Sequence, residues 1–493
     1  MEFHVQSVED SMIDSLNFKL GNSSNYVIDR KSVAYYPTGG SEYNPRATRV
    51  LKFNITSSNA WLDPSTVMVQ FKLTNLDGAN NLRLLNPLAA NFFRRLRIIV
   101  GGVTVEDMSY YNRWYNMIHN LLPVERRMND FATQFGLNDE FNKITGVGGA
   151  RTVADSYGFD AADIPPDMAE GEYKTVCFPL FCGLFNQTKM LPLSFMNGIT
   201  VELEVVNAFT DAIAFADGTS QTWTITEPRL LADVVVLDSQ VHNDYADHLR
   251  SGKTLPIAFS SFVNQVQSIG NTTDPVISMS RSFTRLKSVF VSFYKPVTTI
   301  VAPAVDGQIN VASTDIVDYN LGINEVNFFY HPNFIYPGPV LNQFNETVSL
   351  SNEGYYKYTS KNDNVSLQLQ IGSKLIPEQE IVGATQSYYH LRKALSSHTP
   401  DSPYSINISD RQYRSHKFIA CFDCEKVSGT AYSGINCKNS DLITIKCKNL
   451  VHKICLGRNA NLPLGNSIPQ FMHVNLHYDS LLILSESGVT VLE

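Results

Sequence analysis

Charge is scarce in this sequence. Asp, Glu, Lys and Arg make up 17% of its 493 residues, below the roughly 25% of an average soluble domain. Long apolar runs are missing too: no stretch of about 18 consecutive apolar residues occurs, which excludes a transmembrane helix. The opening Met1-Glu2-Phe3-His4 lacks a basic segment followed by an apolar run, so no secretory signal is expected. The balance is acidic, with a formal net charge of −8. A sequence-independent nucleic-acid coat, which needs basic clusters to replace counterions, is therefore disfavoured.

Hydrophobic residues, at 43%, exclude intrinsic disorder and suffice for sizeable cores. Length suggests two to four domains. Aromatics reach 11%, with 28 Phe and 23 Tyr against 3 Trp. Few charges and many aromatics are common in β-rich chains, because these side chains fit a pleated surface.

The 7 cysteines are odd in number, which argues against a disulfide framework. Cys421, Cys424, Cys437, Cys447 and Cys455 cluster late. Cys421-x-x-Cys424 has zinc-ligand spacing, but no second CxxC or CxxH completes it. Both Cys421 and Cys447 fall in apolar, strand-like runs, so buried free thiols are the expectation.

Residues 1–45 lack periodicity and read as an extended acidic arm. Strands follow. In Val50–Ile55, Leu51, Phe53 and Ile55 alternate with Lys52 and Asn54, the period of a half-buried strand. Val67, Val69, Phe71 and Leu73 repeat that pattern. Gly101-Gly102 between two β-branched runs is a tight hairpin signal. A helix is expected next, capped by Ser109, with Tyr111, Trp114, Tyr115, Ile118 and Leu122 on one face and Pro123 ending it. Residues 124–170 read as a long excursion containing Gly146-Val147-Gly148-Gly149. Strands resume at 173–181, 199–205, 223–225 and 230–237. About eight strands and one helix suit an antiparallel jelly roll.

Residues 241–280 lose the pattern and read as a linker. A second series starts near Ser282 and repeats the order of strand, Gly turn, short strand and aromatic helix. Ser387-Tyr388-Tyr389 echoes Ser109-Tyr110-Tyr111, so the chain reads as duplicated. Final strands are expected at 416–422, 441–447, 471–477 and 480–491. The expected fold is all-β: two tandem eight-stranded antiparallel jelly rolls, each with a short helix and long inter-strand loops. Its parts are an arm (1–45), a first roll (46–240), a linker (241–280) and a second roll (281–493).

Chemical motifs are weak. Gly252-Lys253-Thr254 ends like a phosphate loop, but Asp247 replaces the required first Gly, and Leu255-Pro256 follows where a helix is needed. No HExxH or GxSxG occurs. His242 and His248, with Asp244 and Asp247, form the densest ionisable patch and read as an exposed linker. Asn22, Asn54, Asn271, Asn345 and Asn407 open Asn-x-Ser/Thr triplets and are expected unmodified. Arg94, Arg95, Arg97, Arg126 and Arg127 read as a solvated or subunit-facing surface. Catalytic, cofactor-binding and metal-binding residues are expected to be none. The rival reading, a carbohydrate-binding or carbohydrate-active tandem β-sandwich, needs paired carboxylates. Its candidates, Glu202 and Glu204, stand at i, i+2 on one sheet face, without a focusing base or aromatic platform.

Several stretches together resemble a known family: Phe53-Asn54-Ile55 with Trp61-Leu62-Asp63-Pro64, Phe92–Ile98 running into Gly101-Gly102, Phe178–Phe185 with Leu191-Pro192-Leu193, Ser433-Gly434-Ile435-Asn436, and Tyr478–Ile483. Across most of residues 45–493 the chain resembles the double jelly-roll major capsid proteins of the virophage, Polinton-like virus and adintovirus group of double-stranded DNA viruses, with adenovirus hexon a remote relative in fold. The resemblance implies a virion structural protein, not an enzyme. It implies homotrimeric, pseudo-hexagonal capsomers tiling an icosahedral capsid shell, with neighbouring capsomers and minor capsid or penton proteins as partners. No cofactor and no sequence-specific nucleic acid are implied. The arm would contact protein, and 124–170 and 295–365 would supply a tower or intersubunit clasp.

Overall fold

The computed structural model describes residues 26–82, 84, 87–135, 168–213, 220–269, 272–294, 329, 331–332, 340–341, 347–348, 364–395, 406, 408, 413–414, 417–426, 433–438, 442–450 and 471–493. Alternating side chains generate its first half: β1 (Val27–Tyr35), β2 (Glu42–Tyr43), β3 (Val50–Ile55), β4 (Ala60–Asn75), β5 (Phe93–Val100) and β6 (Val103–Ser109). Two helices follow, α1 (Tyr111–Leu121) and α2 (Val124–Ala132), then β7 (Tyr173–Pro179), β8 (Leu191–Pro192), β9 (Ile199–Val205) and β10 (Trp223–Leu237). Helix α3 (Ser239–Arg250) leads into β11 (Leu255–Ser268), β12 (Val276–Met279) and β13 (Leu286–Tyr294). The short pair β14 (Val340–Leu341) and β15 (Thr347–Val348) precedes β16 (Ser366–Ile371), β17 (Lys374–Val382) and α4 (Gly383–Ala394). The chain closes with β18 (Ala420–Asp423), β19 (Ile443–Lys448), β20 (Phe471–Ser485) and β21 (Gly488–Leu492).

Four antiparallel sheets carry the architecture: β1-β10-β4-β7, β3-β9-β5-β6, β11-β20-β13-β18 and β12-β19-β16-β17. The short strands β2 and β8 join the first sheet, and β21 joins the third. Taking the principal strands of each half in chain order, both halves have one sheet ordered 1-8-3-6 and a partner ordered 2-7-4-5. That is the eight-stranded jelly roll, made twice. In both, the helix follows the fifth strand: α1 after β6, α4 after β17. The repeat expected from the aromatic helices is thus a repeat of whole topology.

Each roll buries an aromatic core. Phe71 meets Phe93 at 5.6 Å and Phe92 meets Trp223 at 4.7 Å, both edge-on. In the second roll Phe283 stacks on Tyr478 at 4.4 Å. Gly101 and Gly102 both have positive φ, 54° and 85°, as a two-residue primed hairpin turn requires.

Several segments differ from their sequence reading. Within the expected arm, residues 27–35 are β1, paired with β10 along its length. Residues 241–280 are not a linker throughout. They hold most of α3, then β11, which pairs with β20 from Leu255–Leu484 to Ser268–Phe471, and β12. The segments 223–225 and 230–237 form one strand, β10, interrupted by a register shift between Thr226 and Arg229, where Glu227 takes φ 51°. The expected pair 471–477 and 480–491 divides instead at 486–487, because β20 runs through Asp479. Residue 109 does not cap α1: the N-cap is Tyr110, at φ 52°, with no side-chain cap bond. The 124–170 excursion begins with α2, and Phe135 and Met168 are buried in the core. Residues 136–167, including Gly146–Gly149, lie outside the described residues, as do 295–328 and Asn22, Asn271, Asn345, Asn407 and Cys455.

Candidate functional site: the seam between the rolls

Helix α1 buries more than one stripe. Tyr111, Asn112, Trp114, Tyr115, Asn116, Met117 and His119 are all buried. The reason is its position between the two rolls. Toward its own roll, the Tyr111 hydroxyl donates to the Phe181 carbonyl at 3.0 Å and Tyr115 stacks on Phe181 at 4.8 Å. Toward the second roll, Trp114 meets Phe262 at 5.2 Å and Arg113 lies 3.6 Å from the Tyr294 ring. Asn475 Nδ2 donates to Met117 Sδ at 3.3 Å, and Asn264 Nδ2 donates to the Ser109 carbonyl at 2.6 Å.

Strand periodicity explains what α1 meets. On β20, Met472, Val474, Leu476 and Tyr478 fill the core of the second roll. The alternate residues His473, Asn475, His477 and Asp479 therefore point to the opposite face. That face is covered by the first roll. Phe262 stacks on His477 at 4.4 Å, and Ser288 Oγ lies 3.1 Å from His477 Nδ1. Burial pushes His473 and His477 down to about 3, aided by the charges of Arg113 and Lys287 respectively. Both imidazoles are neutral at physiological pH.

A second polar contact lies where β6 meets β11. Glu106 is fully buried and accepts from the Gly183 amide at 2.9 Å, the Leu184 amide at 2.8 Å and the Ser261 hydroxyl. Burial raises its pKa above the ordinary carboxylate value, opposed by those hydrogen bonds. Gly183 is obligatory here: a Cβ would stand 2.2 Å from the Ser260 carbonyl oxygen. Asp479 accepts from Ser260 Oγ at 2.6 Å and faces Lys287 Nζ at 3.6 Å. The C-terminal hairpin adds a further contact, since a Cβ on Gly101 would meet Val489 at 3.0 Å.

The other sequence-derived candidates are placed differently. Glu202 and Glu204 lie on β9, both on the outer face, as expected. Glu202 pairs with Lys52 at 3.3 Å and Arg97 at 3.3 Å, and Glu204 with Arg49 at 2.7 Å. Arg97 also approaches Asp107 at 3.7 Å, and Asp107 holds Arg95 at 2.6 Å. Lys52, Glu202, Arg97 and Asp107 stand directly opposite one another across four strands. This is a ladder of compensated charge rather than an acid–base pair. Arg94 instead lies 5.2 Å from the Tyr110 ring.

His242, Asp244, Asp247 and His248 lie on α3, which Asp238 caps through the Gln240 amide. His242 stacks on Phe195 at 5.0 Å and Asp247 pairs with Arg250. Gly252, at φ 78°, turns the chain from α3 into β11, so Gly252-Lys253-Thr254 forms no phosphate cradle. Cys421, Cys424 and Cys447 are buried free thiols, and Cys437 is buried beside them in sequence. Burial pushes Cys421, Cys424 and Cys447 well up, keeping them protonated. Among the described residues no cluster of His, Cys, Asp and Glu has metal-holding geometry. No described helix is long and apolar enough to cross a membrane.

No protein-family model matches the chain, and no curated protein matches it in sequence. Solved structures match nearly end to end. The PBCV-1 VP54 structure fitted into a reconstruction of the virophage Sputnik is 13% identical at TM-score 0.57, over 97% of this chain and 99% of that one. The Sputnik virophage structure from electron cryomicroscopy is 10% identical at TM-score 0.55, over 99% and 92%. The Faustovirus major capsid protein is 10% identical at TM-score 0.57, over 96% and 93%. At such identities the likeness lies in the backbone alone. Taken with the duplicated strand order, it establishes that this chain has the double jelly-roll fold of those viral capsid proteins.

Proposed function

We propose that this chain is a major capsid protein, a structural and non-catalytic component of a virion. Three copies would form a pseudo-hexagonal capsomer, and capsomers would tile an icosahedral shell around a double-stranded DNA genome. The observation that carries this reading is the pair of like rolls locked by a buried seam. Two modules in one chain ordinarily move relative to each other unless their interface is extensive and apolar. Here a helix buried on several faces joins them, with Trp114 on Phe262 and Glu106 accepting from the Ser261 hydroxyl across the contact. Rolls fixed at one angle let three chains present six near-equivalent columns, and closed threefold symmetry is a common solution for such association.

On this reading the first roll spans about residues 27–237 and the second about 255–493, with α3 joining them. The sequence before Tyr26 carries Glu2, Glu9, Asp10 and Asp14 against Lys19. Its role would be contact with neighbouring or minor capsid proteins rather than with the genome. The carbohydrate-active alternative gains nothing from Glu202 and Glu204, since each already has a cationic partner.

Light scattering on the purified chain, with negative-stain images, tests the proposal. Three copies of the 55.1 kDa chain, about 165 kDa, with a hexagonal outline are expected. A stable monomer that binds or hydrolyses glycans would overturn it.

A further inference from the structure

Three charged side chains of the second roll converge outside its core. Lys287 lies on β13, Asp479 on β20 and Glu425 just after β18, so the two carboxylates come from the strands flanking β13. Lys287 sits where the β13–β20 register shifts between Leu286 and Ser288. Its carbonyl accepts from the Cys424 amide at 2.8 Å, and the Asp479 amide donates to the Arg285 carbonyl at 3.1 Å. Those bonds hold both carboxylate-bearing backbones beside Lys287. Asp423 accepts from the Glu425 amide at 2.9 Å, an Asx turn that fixes the chain there. Lys287 Nζ stands 3.3 Å from Glu425 Oε1 and 3.6 Å from Asp479 Oδ1. The Ser260 hydroxyl, opposite Asp479 on the ladder, donates to that same Oδ1 at 2.6 Å.

Little water reaches the group. The side chains of Lys287, Glu425 and Asp479 are 17%, 15% and 8% exposed. The first roll closes over the neighbouring strand, since Gly183 lies so near the Ser260 carbonyl that no Cβ would fit between them. An ammonium held out of water between two carboxylates carries a desolvation cost. It also stands beside an acyl group and a proton carrier. Reactants fixed in contact with water excluded react far more readily than the same groups in solution.

We propose that Lys287 and Asp479 condense into a side-chain amide that joins β13 covalently to β20, with Glu425 as the proton carrier. Glu425 first carries one proton from the ammonium to Asp479, leaving a neutral amine and a neutral acid. The nitrogen lone pair attacks Cγ of Asp479 and the N–C bond forms, while Ser260 holds the negative charge that develops on Oδ1. Glu425 then carries a second proton from that nitrogen to the other carboxyl oxygen. The C–O bond breaks and one water leaves; nothing is oxidised or reduced. The product replaces an enclosed ion pair with a neutral amide. It also ties together two strands distant in the chain, which restricts the unfolded state. The proposal is independent of the capsid reading.

Mass spectrometry of the native full chain, denatured, reduced and digested with a protease, tests it. The peptides holding Lys287 and Asp479 should run as one species, about 18 Da lighter than their sum, with fragmentation placing the link at those two residues. Lys287→Arg should abolish the link. Glu425→Gln, which keeps the side chain's shape but carries no proton, should lower the linked fraction about tenfold or more at equal times after folding. The native digest decides even if Glu425→Gln does not fold: separate peptides at their full masses would overturn the proposal and leave an ion pair. A link from Lys287 to Glu425 would overturn it as well, and equal linkage in native protein and Glu425→Gln would remove Glu425 from its role.

Discussion

Replacing Gly183 with alanine tests the seam at its tightest point. The new Cβ would stand 2.2 Å from the Ser260 carbonyl oxygen, 2.8 Å from Glu106 Oε1 and 2.9 Å from Phe259 Cδ2. Ordinary contact needs roughly 1 Å more at the first of these, and interiors packed at crystal density do not give that locally. The obstructing atom is backbone of β11, which is paired with β20 along its whole length. The rolls themselves must part. Overpacking of this kind costs about 1–3 kcal/mol. Parting also draws the Ser261 hydroxyl away from Glu106, and an unsatisfied buried group costs about 1–3 kcal/mol more. The expected loss is about 3–5 kcal/mol, a large share of the 5–15 kcal/mol that ordinarily holds a protein folded. Urea unfolding read by fluorescence measures it. Gly78→Ala is the control: nothing lies within 4 Å of its Cβ position, so a change within about 0.5 kcal/mol is expected. Equal midpoints for Gly183→Ala and the native protein would refute the argument that the rolls are in close backbone contact.

Four other outcomes follow from the same geometry. Glu106→Gln should destabilise by about 2–3 kcal/mol, since an amide N–H would face backbone donors. The Glu106 pKa is raised in the folded protein, so its ionisation-linked stability is full below the unfolded pKa and lost as pH rises through the folded one. The gap between native and Glu106→Gln midpoints should thus narrow from mild acid upward; a widening gap contradicts burial as the dominant cause. Trp114→Ala should cost about 3–5 kcal/mol, and a cycle with Phe262→Ala should show coupling of about 0.5–1.5 kcal/mol, whereas strict additivity would deny the contact. Arg97→Ala, in the half-exposed charge ladder, should change stability by only about 0.2–1 kcal/mol and less in high salt. In a Cys455→Ser background the native protein should react with a thiol reagent first at half-buried Cys177, and at Cys421, Cys424 and Cys447 only on unfolding, because burial keeps those thiols protonated.

Those strands whose one face meets a core and whose other meets water were legible from alternation alone. Strands β3 and β9 occupy the residues expected, and Gly101-Gly102 makes the expected turn. Strand β11 was not legible, because Ser260 and Asn264 look like loop residues until the first roll covers them. Asp479 looked like a break for the same reason, yet β20 passes through it, held by Ser260 and Lys287. A signal was present in both cases. The core phase Met472, Val474, Leu476, Tyr478 resumes unshifted at Leu482 and Leu484, and Ile257, Phe259 and Val263 keep one phase across Ser261. Helix α1 showed one aromatic stripe in sequence. Its burial of Met117 comes from a second roll far away in the chain, which local pattern cannot report, and Asn116 is held by Asn91 of its own roll. The spacing of Glu202 and Glu204 on one sheet face was legible; their cationic partners, Lys52 on β3, Arg49 just before it and Arg97 on β5, were not.

The central claim is that one chain supplies two rigidly joined rolls and three chains complete a six-columned unit. Class averages of the purified full-length protein by electron cryomicroscopy test it most directly. The account predicts particles of threefold symmetry with six lobes, two per chain, at one fixed spacing. Single two-lobed particles whose lobes vary in their mutual angle would contradict it.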